Sequence, residues 1–147
     1  MTQLHFSHVA GRALSIIDAI LHTPEVTAVG GALGPVHLVI EELVVNIANY
    51  AYPADDDAQA PTADYLDVEI SIHEEKLRLR FRDGGVPFNP LELPPPDMSL
   101  PMSQRKKGGL GIFLVKREAD ELAYEYTSGE NVLTVSLDVG DKMVDGL

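Results

Sequence analysis

The 147-residue chain contains no cysteine. Disulfides, thiolate nucleophiles and zinc–cysteine sites are thereby excluded together, and the composition fits a reducing cytoplasm. Cations are scarce as well, with 11 Lys and Arg against 23 Asp and Glu and a formal charge of −12. General binding to nucleic acid or to an anionic membrane needs a basic surface, which this balance does not supply. No uninterrupted apolar run reaches the length of a bilayer span, so no membrane segment is expected. Met1 to Ala10 carries polar residues and His rather than a basic patch followed by an apolar stretch, and does not read as a secretory signal. Any polyphosphate bound by so acidic a chain needs its few cations, or a metal, gathered at the site.

What is present is ordinary for a globular protein: 45% hydrophobic and 23% charged residues. The length suits one domain, residues 1–147, able to bury a core without staples. Gln3 to Phe6 suits a short edge strand, and His8 to Leu21 has helical spacing, ended by Thr23-Pro24. After a glycine-rich stretch from Val29 to Gly34, Pro35 sits as a first-turn residue of a second helix reaching about Tyr52. Val36, Val39, Ile40, Leu43, Ile47 and Ala51 keep its apolar period. Residues from Ala54 to Ala63, with the acidic run Asp55-Asp56-Asp57, read as a solvated loop.

Tyr65 to His73 and Lys76 to Phe81 alternate in polarity around Glu74-Glu75, as a hairpin does. Residues 88–107 hold five prolines and almost no periodicity, the mark of a long irregular loop. Ile112 to Leu122 reads as a helix, and Ala123 to Thr127 with Val132 to Leu137 as a second hairpin around Ser128-Gly129-Glu130-Asn131. This order favours an α+β two-layer sandwich over a doubly wound parallel sheet.

Three constellations carry chemistry. Glu42, Asn46 and Asn49 fall within roughly 60° of one another on the second helix, placing a carboxylate beside two amides, oxygen ligands suited to Mg²⁺. Asp83-Gly84-Gly85-Val86-Pro87-Phe88-Asn89-Pro90 follows a strand directly. A carboxylate there can accept from an exocyclic amine, and a glycine lets the backbone approach a ring without a Cβ. Lys106-Lys107-Gly108-Gly109-Leu110-Gly111-Ile112 runs into a helix, where backbone N–H groups favour phosphate. Arg105, Lys106 and Lys107 form the densest cationic cluster in the chain. Each feature alone has a plainer origin: a solvated stripe, a turn after a strand, a flexible glycine run. The five histidines share no short spacing that would hold a metal, and Tyr124 and Tyr126 read as packing residues.

In combination the three are far more specific. Glu-x-x-x-Asn on a helix, Asp-x-Gly-x-Pro-Phe after a strand, a long loop, then Gly-Gly-x-Gly before a helix resembles the GHKL ATPase superfamily of gyrase, sensor histidine kinases and anti-sigma-factor kinases. EELVVNIANYAYP, FRDGGVPFNP, GGLGIFLVKREAD and SGENVLTV are similar to its anti-sigma serine-kinase branch, the RsbW type. The resemblance covers about Leu38 to Leu137. It implies a two-layer α/β sandwich with a mixed, mainly antiparallel sheet and helices on one face. It also implies Mg²⁺ and ATP as cofactors.

The resemblance assigns Asn46 to Mg²⁺, Glu42 as general base and Asp83 to the adenine amine, with Gly85 beside the ring. Asn49, Pro87 and Phe88 join the pocket, residues 89–107 form the ATP lid, and Gly109, Leu110 and Gly111 lie near the phosphates. Lys107 or Arg105 reaches the γ-phosphate, and Thr134 supports the adenine pocket with its hydroxyl. Where many relatives have Asn-x-x-x-His, this chain has Tyr50. The activity implied is ATP-dependent phosphorylation of a serine or threonine on a STAS-type anti-sigma-factor antagonist by a cytoplasmic homodimer. The alternative is a nucleotide-binding module that grips a sigma factor or antagonist without transfer. A histidine kinase would need a phosphoacceptor hairpin before the motif helix, and a gyrase-like ATPase a transducer domain after it; neither is expected here.

Overall fold

Alternating polarity over residues 65–83 produces two strands joined by the tightest of turns. The computed structural model describes residues 1–52, 64–93, 99–101 and 109–140. In it β2 (Tyr65–His73) and β3 (Lys76–Asp83) pair antiparallel, with His73 opposite Lys76. Glu74 and Glu75 both take positive φ, 52° and 67°. Two left-handed residues in a row match the twist of the flanking strands. Ser128 and Gly129 repeat the device, at φ 54° and 79°, between β4 (Glu121–Thr127) and β5 (Glu130–Asp138).

With the edge strand β1 (Thr2–Ser7), these form a five-stranded sheet of order β1-β2-β3-β5-β4. Every pairing in it is antiparallel. One face carries Leu66, Val68, Ile70, Leu77, Leu79, Phe81, Leu133, Val135 and Leu137, all buried. Against it lie α1 (Ala13–Leu21), the short α2 (Pro24–Thr27), α3 (Leu33–Tyr50) and α4 (Gly109–Glu118). Val36, Val39, Ile40, Leu43, Val44 and Ile47 of α3 close the core at helical spacing, each such side chain contributing about 1.5–3 kcal/mol of burial. Gly30–Tyr50 has the length and hydropathy of a bilayer span. Its apolar side is accounted for by this core, and Glu41 and Glu42 interrupt the helix midway.

Several boundaries differ from the sequence reading. The first helix begins only at Ala13, because His8 and Gly11 take φ of 58° and 76° and break the backbone before it. Thr23-Pro24 also opens α2, with the proline at its first turn. The glycine stretch holds a 3-10 turn, Gly30–Ala32, running into α3 at Leu33, while Pro35 stands in the first turn of α3 as expected. α4 stops at Glu118, since the Asp120 N–H donates to the Ser136 carbonyl at 2.9 Å and starts the pairing of β4. The acidic run at 55–57 lies outside the described residues, as does most of the expected lid.

Candidate functional site

The sheet register assembles the first half of the site. Asp83 ends β3 directly opposite Asn131 of β5. Both are buried, at 4% and 6% exposure. Asp83 Oδ1 accepts from Gly85 N at 2.9 Å and from Asn131 Nδ2 at 3.0 Å. Asn131 Nδ2 also donates to the Val86 carbonyl at 2.9 Å, with a weaker contact of 3.4 Å to that of Gly85. Asn131 Oδ1 accepts from Phe88 N at 3.1 Å and from the Tyr124 hydroxyl. One carboxamide thus ties the loop 84–88 to the sheet, and its orientation follows from these donors and acceptors. Burial pushes the Asp83 carboxyl above its ordinary value, the bonds from Asn131 and Gly85 partly offset that, and the Glu130 charge adds to the rise. Asp83 Oδ2 accepts from no described residue and is the oxygen left for a ligand.

The end of α3 closes the same loop from the other side. Ala51 O accepts from Val86 N at 3.0 Å. The buried Tyr52 hydroxyl donates to the Tyr65 carbonyl at 2.6 Å and accepts from Gly84 N at 2.8 Å and Tyr65 N at 3.2 Å. Burial foremost pushes this phenol up to about 12, so it remains a donor throughout the neutral range. A Cβ on Gly85 would lie 2.3 Å from Ala51 O, and one on Gly84 2.8 Å from the Tyr65 ring. The missing side chain of Gly85 therefore makes room for the backbone at the end of α3, a nearer reason than approach to a ring.

α3 supplies the second half. Asn46 is 9% exposed and its Nδ2 is buried without a hydrogen-bond partner. A buried amide usually finds a partner. Nδ2 is a donor and cannot hold a cation; the carboxamide oxygen of Asn46, which borders the pocket, is the atom that suits Mg²⁺. One turn earlier, Glu42 is half-buried against α4: a Cβ on Gly111 would lie 2.1 Å from Glu42 Oε2. Burial, and after it the Glu41 charge, raises the Glu42 carboxyl above its ordinary value, in the direction that makes a stronger base.

Between these halves lies a pocket with about 400 Å³ of empty space, part of it open to solvent. It is bordered by Leu43, Asn46, Ile47, Asp83, Phe88 and Asn131 among others. The structure brings together Asn46, Asp83 and Phe88 at one pocket, with Gly85 in the adjoining loop against the end of α3 and Glu42 against Gly111. Gly109 and Leu110 are the first residues of α4. Asn49 and Pro87 are exposed and do not border the pocket. Tyr50 stacks on Phe88, ring centres 5.6 Å apart. Thr134 is placed elsewhere: it pairs with Arg80 and Ala123 and borders a depression on the opposite, open face of the sheet. Asn131, three residues earlier, holds the loop instead. Tyr124 packs against the core as expected and also borders the pocket and bonds Asn131, whereas Tyr126 is exposed and does not pack. Arg105 and Lys107 lie outside the described residues.

An α+β sandwich with helices on one face, an acid at the end of a central strand and a Glu/Asn helix across from it defines a nucleotide-binding ATPase-type domain. The sequence matches the family profile described as histidine kinase-like ATPase domain over residues 7–137, and the chain belongs to that family. The serine-protein kinase RsbW of Listeria monocytogenes serotype 4a is 25% identical over 118 residues, 78% of this chain and 71% of its own. That of Listeria innocua is equally similar over the same span. The Bacillus mycoides protein of the same name is 25% identical over 100 residues, 65% of this chain and 58% of its own.

Proposed function

We propose that this chain is an anti-sigma-factor serine/threonine protein kinase that binds Mg-ATP and phosphorylates a STAS-type anti-sigma-factor antagonist. The observation that carries the reading is the pairing, across one pocket, of Asp83, whose Oδ2 no described residue claims, with Asn46, one turn beyond Glu42 on α3. Asp83 accepts from the adenine amine, and Phe88 and Leu43 flank the base. Asn46 would hold Mg²⁺ through its carboxamide oxygen, and the ion would supply positive charge to offset that of the polyphosphate. Glu42, its basicity raised by burial, takes the proton of the incoming serine or threonine hydroxyl. Lys107 or Arg105 meets the γ-phosphate, gathering cations where an acidic chain otherwise repels it. The match to relatives named serine-protein kinase supports transfer to a hydroxyl. The working unit on this reading is a cytoplasmic homodimer that switches between antagonist and sigma factor.

The test uses γ-labelled ATP with Mg²⁺ and STAS-domain proteins encoded in the same genome. Label is expected on a serine or threonine of one of them. Glu42→Gln is expected to cut transfer by about 100-fold or more while ATP still binds, the usual contribution of a positioned base. Bound ATP with no label on any candidate, or undiminished transfer by Glu42→Gln, contradicts the kinase reading and its assignment of the base respectively.

A further inference from the structure

A carboxylate is an ambiguous reader of purines. Each oxygen offers two lone-pair sites. Adenine presents one exocyclic amine as donor, with an acceptor nitrogen beside it. Guanine presents N1–H and its 2-amino group side by side, two donors that match two free carboxylate oxygens in a parallel, two-bond grip. An unencumbered buried aspartate would therefore favour guanine.

Asp83 is not unencumbered. Its Oδ1 already accepts from Gly85 N at 2.9 Å and Asn131 Nδ2 at 3.0 Å, so both lone-pair sites of that oxygen are filled. The Asn131 amide cannot turn away, because Phe88 N and the Tyr124 hydroxyl both donate to its Oδ1. Asn131 itself is buried. Only Oδ2 remains, and a single oxygen meets one donor straight on but two parallel N–H groups only in a bent, shared arrangement.

We propose that Asn131 is a specificity-determining positioning residue: by saturating Oδ1 of Asp83, it leaves a single acceptor for the base and selects adenine over guanine. The selection rests on the nucleotide reading given above. The inosine nucleotide isolates the contribution of the second bond, because hypoxanthine keeps guanine's N1–H and carbonyl but lacks the 2-amino group. With Oδ1 saturated, the 2-amino group can reach only the oxygen already bonded to N1–H, at a bent angle, and gains little. With Asn131 gone, one lone-pair site on Oδ1 opens and guanine acquires a second bond to a charged oxygen.

The experiment measures dissociation constants of the Mg²⁺ complexes of ATP, GTP and ITP by titration calorimetry, for the wild type and Asn131→Ala. The wild type is expected to bind ATP tightest, with GTP and ITP alike. Asn131→Ala is expected to bind GTP about tenfold tighter than ITP, the worth of one hydrogen bond to a charged group. A general loosening of the loop would weaken all three together and leave the GTP-to-ITP ratio where it was; that result overturns the proposal. So does a wild type that already binds GTP about tenfold better than ITP, a comparison that decides the matter even if Asn131→Ala fails to fold. A wild type that binds none of the three defeats the nucleotide reading, and the selection falls with it.

Discussion

At the residue scale the pivotal group is Asp83. Burial raises its carboxyl in the folded chain, so the native state holds this proton to higher pH than the unfolded state does. Below the ordinary carboxylate value both states are protonated and Asp83 costs nothing. As pH rises through the window up to its raised folded value, the unfolded state ionises first and stability falls. Asp83→Asn keeps an acceptor for Gly85 N and Asn131 and removes the charge. Denaturant midpoints of the nucleotide-free proteins are expected to show the variant gaining on the wild type from acid to neutral pH. A wild type that gains on the variant over that range would contradict the assigned shift. Asp83 was legible in the sequence, as an acid between a strand and Gly-Gly. Asn131 was not, because in Ser-Gly-Glu-Asn it looks like part of a turn, and its partner is 48 residues away. Thr134 was misplaced by strand parity: 131, 133 and 135 face the helices, whereas 132, 134 and 136 face outward, and a hydroxyl three residues past the right position sits on the wrong side.

At the element scale the site depends on how α3 meets the loop after β3. That meeting is a backbone bond, Val86 N to Ala51 O, around a glycine with no room for a methyl group. Gly85→Ala must displace the end of α3 and is expected to destabilise the protein by about 1–3 kcal/mol, with nucleotide affinity falling too. Gly34 is the contrast, exposed in α3 with nothing beyond its own helix and chain neighbours within 4 Å of an added Cβ. Gly34→Ala is expected to change stability by less than about 1 kcal/mol, the helix propensity gained being opposed by the Pro35 ring that follows. Equal effects at the two positions in chemical denaturation would contradict the packing described. The elements themselves were readable wherever one period dominated: α3, β2, β3 and β5 stand close to their expected places. They were misread where two periods coincide. Leu122 fits a helical face after Val115 and equally the inward face of a strand, and only the Asp120 N–H bond to Ser136 O settles it.

At the scale of the whole molecule, an antiparallel sheet covered by helices on one side leaves a gap in its core layer, between α3 and the ends of β3 and β5. The pocket lies there, with Leu43, Ile47 and Leu133 continuing the core into it. The family was legible because three short motifs keep their order along the chain, whatever the intervening residues do. The geometry uniting them was not, since Asn46, Asp83 and Asn131 meet only through sheet register and helix packing. With a formal charge of −12, the chain can hold a polyphosphate only where the site itself supplies the compensating charge.

The most direct measurement is thermal unfolding with and without millimolar Mg-ATP, for the wild type and Asp83→Asn. A ligand that binds only the folded state adds about 2.7 kcal/mol at a hundredfold excess over its dissociation constant, which at this size raises the midpoint by roughly 5–10 °C. That rise is expected in the wild type, and its loss in Asp83→Asn. A midpoint unmoved in the wild type, or raised equally in both proteins, would contradict nucleotide binding through Asp83.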